Sequence, residues 1–289
     1  MMGCDGCELW NPTAGIKHCY AGTLHRIRKN HPGFAHPFES PTLFLDRLAQ
    51  GLKWKNLTDT DRPDRPWLNG FPRLIFCNDM GDTFTESLSI DWLRECIEPM
   101  EASSHQWLIL TKRPHRMRQF FKEFGHVPAN FWLGTSVSSR ENVQRLGELQ
   151  QIDHSGIRFL SYEPAIGPLG PVDLSGISWV IFGGESGPRF RPMAPAWARE
   201  IRDQCVCAKV AFFYKQSAAR KDETHPWVVE EDGSRWEYRQ MPGRLTPPTR
   251  VAHGMPTSKG VRKATSVSRR RTQIGNTHPG TFPIIRHRA

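Results

Sequence analysis

Residues 107–124 read WLILTKRPHRMRQFFKEF, and this stretch carries the architecture in miniature. Trp107–Leu110 is a short apolar run, Thr111-Lys112-Arg113 ends it with polar groups, and Pro114 opens a segment of helical pattern through Phe124. Proline suits the first helical position, where its missing N–H would have no partner. A run that is apolar at every position, without alternation, suits a strand covered on both faces in a parallel sheet.

The same unit recurs outward in both directions. Apolar runs lie at Arg73–Cys77 (RLIFC), Phe131–Val137 (FWLGTSV), Ile157–Leu160 (IRFL), Trp179–Phe182 (WVIF) and Val210–Tyr214 (VAFFY). Their centres are roughly 20 to 35 residues apart, the span of a strand plus its crossover helix. Helical patterns fill Ile90–Met100, Arg140–Gln150 and Ala196–Cys207. The expected fold class is α/β, a full or partial TIM-like (β/α) barrel of six to seven mostly parallel strands. In such folds chemistry sits at the carboxyl ends of the strands, so those ends are expected to line one ligand-sized pocket. Outside the repeating units, Leu24–Asn30 reads as a short basic helix and Pro41–Trp54 as a helix. Asp59–Pro66 reads as a polar loop, and the run after Gln216 as a hairpin or nothing regular.

Composition narrows the class. The chain has 289 residues, 38% hydrophobic and 24% charged, as in soluble globular proteins. No stretch approaches the roughly 18 apolar residues of a membrane helix. The opening MMGCDGCELWNP lacks the basic and apolar regions of a signal peptide, so a cytoplasmic protein without membrane contact is expected. The net charge is +10, yet ten Lys and Arg and no acid lie in 243–289, leaving the first 242 residues balanced. The expected division is therefore a domain over 1–242 and a basic, disordered tail over 243–289 that attracts nucleic-acid phosphates.

Seven cysteines in a chain with no export signal point to reduced, metal-bound or catalytic thiols. Cys4 and Cys7 have two residues between them, and Cys19 follows in His18-Cys19-Tyr20-Ala21. Three thiolates can ligate three irons of a [4Fe-4S] cluster, leaving the fourth open. They can also form a Cys3His zinc site with His18 or His25, or be incidental. Cys77, Cys96, Cys205 and Cys207 read as small hydrophobes or surface groups.

Several further motifs stand in order. They are Trp10-Asn11-Pro12, Cys19-Tyr20-Ala21, Asn78-Asp79-Met80-Gly81-Asp82, Leu110-Thr111-Lys112-Arg113-Pro114, Trp132-Leu133-Gly134 with Ser136-Val137, Tyr162-Glu163-Pro164, Gly183-Gly184-Glu185-Ser186-Gly187, Arg191-Pro192-Met193 and Phe212-Phe213-Tyr214-Lys215-Gln216. On these the chain resembles a phage and prophage family of three-cysteine proteins of unknown function, itself similar to radical S-adenosylmethionine (radical SAM) enzymes. In the commoner pattern of that family two close cysteines immediately precede Tyr-Ala; here the close pair comes first and Cys19 alone precedes Tyr20.

The resemblance implies a [4Fe-4S] cluster on Cys4, Cys7 and Cys19, with S-adenosyl-L-methionine as second cofactor. It implies a cofactor-binding set of Asn78, Asp79, Asp82, Lys112, Arg113, Ser136, Glu163, Gly183, Gly184 and Glu185. Within it, the acids after the first run would meet the methionine ammonium, Lys112 or Arg113 its carboxylate, and Glu163 the ribose. Gly183-Gly184 would admit the adenosine. A reductant such as flavodoxin or ferredoxin is implied, acting in the cytoplasm of a bacterium or a phage-infected host on nucleic acid or nucleotides. Two other readings stand beside it. One is a zinc-stapled, TIM-like, metal-dependent hydrolase or nuclease using Asp79, Asp82, Glu163 and Glu185. The other is a non-catalytic nucleic-acid-binding accessory protein.

Overall fold

The computed structural model describes residues 1–11, 18–29, 31, 34, 36–221 and 225–252. Six parallel strands form one sheet in the order of the sequence: β1 (Leu74–Cys77), β2 (Gln106–Thr111), β3 (Phe131–Ser136), β4 (Arg158–Tyr162), β5 (Trp179–Gly183) and β6 (Ala211–Gln216). The sheet is curled into a half-barrel. Among the described residues β1 and β6 do not pair, so the barrel is partial. Helices α3 (Ile90–Glu101), α4 (Pro114–Phe124), α5 (Gln144–Gln150) and α6 (Pro195–Ala208) lie in the crossovers, and β4 reaches β5 without one.

Two apolar layers follow from the period-2 geometry of strands. Trp107, Ile109, Phe131, Leu133, Leu160, Val180, Phe182 and Phe212 face the helices, packing on Leu93, Ile97, Phe120 and Ile201. Leu74, Leu108, Trp132, Phe159, Trp179, Ile181, Ala211 and Phe213 face the concave side. There Trp179 meets Trp132, Phe159 and Phe213, each with ring centroids 5.9 Å apart. The amino-terminal part of the bore is thus a packed aromatic core, not a channel. Leu68 and Met241 close it.

The sequence expectations shift in a few places. Asp59–Pro66 is the expected polar loop, mostly exposed and irregular up to the 3-10 turn at Pro66–Leu68, but Arg62 within it turns inward to 6% exposure. Its guanidinium donates to the carbonyls of Leu68, Leu57 and Phe71 at 2.6, 2.7 and 2.6 Å. The helix expected over Arg140–Gln150 begins only at Gln144, after a 3-10 turn at Arg140–Asn142. Asn142 Oδ1 accepts from the Ser138 and Ser139 amides and holds that turn. Helix α1 covers Tyr20–Ile27, starting earlier than the basic residues suggest, since Cys19 Sγ accepts from the Gly22 amide. Helix α2 is Leu45–Leu52.

After β6 a small antiparallel sheet forms from β7 (Val228–Val229), β8 (Arg235–Glu237) and β9 (Thr249–Arg250). Arg244 and β9, which composition assigns to the tail, therefore lie among ordered chain. Residues 253–289 fall outside the described residues, and with them most of the expected tail. No helix of the described chain is long and apolar enough to cross a membrane.

Candidate functional site

Extending each inward alternation to the carboxyl end of its strand changes the chemistry of the bore from aromatic to polar. The positions reached are Asn78, Lys112, Ser136, Ser161 with Glu163, Gly183 and Lys215. Most of them are bonded to one another across the sheet. Lys112 Nζ donates to Ser136 Oγ at 3.0 Å, and Ser136 Oγ donates to the Glu163 carbonyl at 2.8 Å. The Glu163 carboxylate accepts from Ser161 Oγ at 3.2 Å and pairs with Lys215 Nζ at 2.9 Å. Both side chains of that pair are 11% exposed. Opposed charges this close, little exposed to water, are held by each other more firmly than a surface pair.

Asp82 is a structural anchor of the same rim. Its carboxylate accepts from Thr111 Oγ1 at 2.6 Å, the Lys112 amide at 2.9 Å and the Phe84 amide at 3.0 Å, and pairs with Arg113 at 3.2 Å. Its acceptor sites are occupied by the protein itself, so it fixes where Lys112 and Arg113 begin. Asn78 donates to Thr83 Oγ1 at 2.9 Å. Asp79 has Cys77 and the Met1 amine as electrostatic neighbours. Glu185 is engaged by Arg191, through the backbone amide at 2.8 Å and Nε at 3.0 Å.

The two glycines are explained by internal packing. A Cβ on Gly183 would stand 2.5 Å from Glu163 Oε1, and one on Gly184 would stand 2.3 Å from the Ala218 amide nitrogen. The sequence set thus divides. Lys112, Ser136 and Glu163 share one network with Gly183 packed against it, Asp82 and Arg113 buttress it, and Glu185 sits apart with Arg191.

The cysteine loop lies on this same edge. Gly3 bridges Gly81, just past β1, and Arg113 Nη2 donates to the Gly6 carbonyl at 2.8 Å. Cys19 is drawn in by amide bonds from His18 and Cys19 to the Leu9 carbonyl, at 2.8 and 2.9 Å. The thiols feel one another: Cys4 has Cys19, Asp82 and Cys7 as charge neighbours, and Cys19 has Cys7 and Lys112. Around them stands an apolar cluster of Met2, Trp10, Phe38 and Met80. Burial pushes the Cys4 thiol up to about 12, against a lowering hydrogen bond from the Gly6 backbone. It raises Cys19 as well. Without metal both are therefore protonated at neutral pH.

In donor chemistry and location the trio fits a thiolate-bound group. In present geometry it is not closed, since among the described residues no three His, Cys, Asp or Glu side chains stand ready to hold a metal ion. His25, one candidate zinc ligand, instead packs its ring on Phe34 and Phe38, at 5.4 and 5.7 Å between centroids. Cys77 is half-buried against the helix-side core, and desolvation pushes its thiol up to about 12, in keeping with a small hydrophobe.

Two features of the site escaped the sequence reading. Glu8, one place after Cys7, accepts a bidentate fork from Arg145 on α5 at 3.0 and 2.8 Å, with Lys112 Nζ at 3.8 Å. Burial alone would raise this carboxyl. The Arg145 hydrogen bonds and the Lys112 charge outweigh it and hold the carboxyl at about 2. A cavity of about 110 Å³, lined by Met193, Ala198, Tyr214, Ser217, His225 and Trp227, lies beside the carboxyl end of β6 without Lys112 or Glu163 in its lining. It is not the rim pocket expected from the strand ends.

No curated protein and no solved structure matches the chain. One family model, described as a protein of unknown function (DUF5131), matches residues 2–277, nearly the whole length, and the chain belongs to that family.

Proposed function

We propose that this chain is a radical SAM-type enzyme in which Cys4, Cys7 and Cys19 hold a [4Fe-4S] cluster beside a site for S-adenosyl-L-methionine. The observation that carries the reading is the position of the thiol loop on the carboxyl edge of a curled parallel sheet, where Gly3 bridges Gly81 and the Gly6 carbonyl accepts from Arg113. A peripheral zinc staple has no need of that edge. When bound, such a group supplies one-electron reductive cleavage of a sulfonium to a 5′-deoxyadenosyl radical.

The chain's own residues bind, orient and exclude water. Lys112 and Ser136 offer a cation and a hydroxyl to an anionic ligand group, and Asp82 fixes the backbone from which Lys112 extends. Glu163 and Lys215 present a carboxylate and an ammonium to the polar end of the bore. The Met2, Trp10, Phe38 and Met80 cluster shields the thiols from water. A flavodoxin- or ferredoxin-like reductant supplies the electron, and the substrate belongs to phage-associated nucleic acid or nucleotides, drawn in part by the basic tail.

The hydrolase reading finds less support, because its carboxylates serve separate partners. Asp82 pairs with Arg113, Glu163 with Lys215 and Glu185 with Arg191.

Anaerobic reconstitution with iron and sulfide, then dithionite and S-adenosylmethionine, tests the proposal. The expected result is a brown protein that releases 5′-deoxyadenosine, with colour and product both lost in Cys19→Ala. Colourless protein carrying stoichiometric zinc and forming no deoxyadenosine overturns it.

A further inference from the structure

The loop that carries the first two thiols is fastened at the residues between and beside its cysteines. The Gly3 amide donates to the Met80 carbonyl at 2.9 Å. Asp5 takes the Thr85 hydroxyl at 2.7 Å and the Ser87 amide at 3.1 Å, while its own amide donates to Thr85 Oγ1 at 2.8 Å. Gly6 gives its carbonyl to Arg113, and Glu8 its carboxylate to Arg145. These fastenings differ in kind. Those beside Cys4 are hydrogen bonds to the segment after β1. Cys7 is flanked by two, the Gly6 carbonyl on Arg113 before it and, after it, an ion pair from Glu8 to α5, on the far side of β3. Arg145 is in turn set on the strand edge, since its Nη1 also donates to the Ser136 carbonyl at 3.2 Å.

We propose that Glu8 and Arg145 form a positioning latch that registers the Cys7 end of the thiol loop on the carboxyl rim, so that Cys7 approaches Cys4 and Cys19 from the side of Lys112. The role deepens the radical SAM reading and rests on it for its purpose, while the latch itself stands on the geometry of the chain. The fork supplies direction as well as charge. Two parallel N–H···O bonds fix the carboxylate plane, which a single ammonium cannot do. Lys112, at 3.8 Å, adds charge but little direction. Beyond Cys7 the chain turns at once, with the Trp10 and Asn11 amides both donating to the Cys7 carbonyl at 2.9 and 2.7 Å. A loop released at Glu8 therefore keeps its Cys4 end and the Gly6–Arg113 bond, and loses the fastening on the carboxyl side of Cys7.

Site-resolved alkylation of the metal-free full-length chain by iodoacetamide reads this directly, without any cofactor. Glu8→Gln removes the charge. Arg145→Lys keeps a cation beside Cys7 and removes the fork, which separates positioning from electrostatics. Both variants are expected to raise alkylation of Cys7 about tenfold, the factor equivalent to about 1.4 kcal/mol of loop stabilisation removed. Cys4, anchored through Gly3 and Asp5, and Cys205, fully buried on the inner face of α6, should keep their wild-type rates.

Wild-type Cys7 rates in both variants overturn the latch. A Cys205 that becomes reactive marks a variant that has unfolded. Glu8→Asp, which keeps the charge and shortens the reach, then decides: faster Cys7 with silent Cys205 supports the latch, and an unchanged Cys7 overturns it. The two readings fail separately. A latched loop in a protein that never forms deoxyadenosine removes the radical chemistry and leaves the latch. Wild-type Cys7 rates in a protein that does form it remove the latch alone.

Discussion

Glu8 carries its charge between the Arg145 fork and the Lys112 ammonium with its side chain 31% exposed. Its carboxyl is depressed from 4.5 to about 2. A carboxyl with a lowered folded-state value stabilises fully above its unfolded value, here 4.5, and loses that contribution as pH falls through about 2. The difference in unfolding free energy between wild type and Glu8→Gln should therefore be roughly 1–3 kcal/mol near neutral pH. It should vanish toward pH 2, where wild-type Glu8 becomes protonated and resembles glutamine. Chemical denaturation of both proteins across that range checks this, and a difference that stays constant from pH 5 to 2 would sink it. None of this was legible in the sequence. Glu8 and Arg145 are 137 residues apart, and nothing in either local pattern names the other.

At the scale of elements, the six strands were legible because each is a continuous apolar run ended by polar residues. The boundaries that moved did so for side-chain reasons: Asn142 holds a 3-10 turn ahead of α5, and the Cys19 thiol caps α1. The inward layers hold a finer detail that periodicity cannot supply, namely where a strand must be small. Gly134 on β3 is the clearest case. A Cβ there would stand 2.3 Å from Phe159 Cζ, and Phe159 is fully buried in the aromatic bore. The ring cannot retreat, because Trp179 lies against it at 5.9 Å. Gly134→Ala should thus cost about 1–3 kcal/mol by overpacking, against the gain in strand propensity that an exposed site would show. The pair Gly134→Ala with Phe159→Leu should recover part of that cost, since the smaller side chain vacates the contested space. Thermal unfolding of the two single variants and the double variant measures the coupling. Strict additivity would refute the steric account.

For the whole molecule, composition sets the boundary of the body at 242, and packing carries ordered chain beyond it. The Arg244 guanidinium lies 4.2 Å from the Phe71 ring centroid and donates to the Asn69 carbonyl, so it covers the segment that closes the amino-terminal end of the bore. Five residues later β9 pairs with β8, matching Arg250 to Trp236. A charge run read by composition alone cannot distinguish these two arginines from the eight cations that follow Ala252, because the difference lies in which aromatic surface each one reaches. Truncation separates the two classes. A chain ending at Ala252 should unfold at the wild-type temperature. One ending at Pro242 should be less stable by roughly 1–3 kcal/mol, having shed the cation–π pairing, the hydrogen bond and the strand pairing. Nucleic-acid affinity should divide differently. Removal of 253–289 takes away eight of the ten tail cations. The salt dependence of single-stranded DNA binding should then flatten by about 0.7 in log–log slope for each phosphate that is no longer neutralised. Equal melting temperatures for the two truncations would place the end of the body back at 242. An unchanged salt slope in the chain ending at Ala252 would move nucleic-acid binding from the tail to the rim.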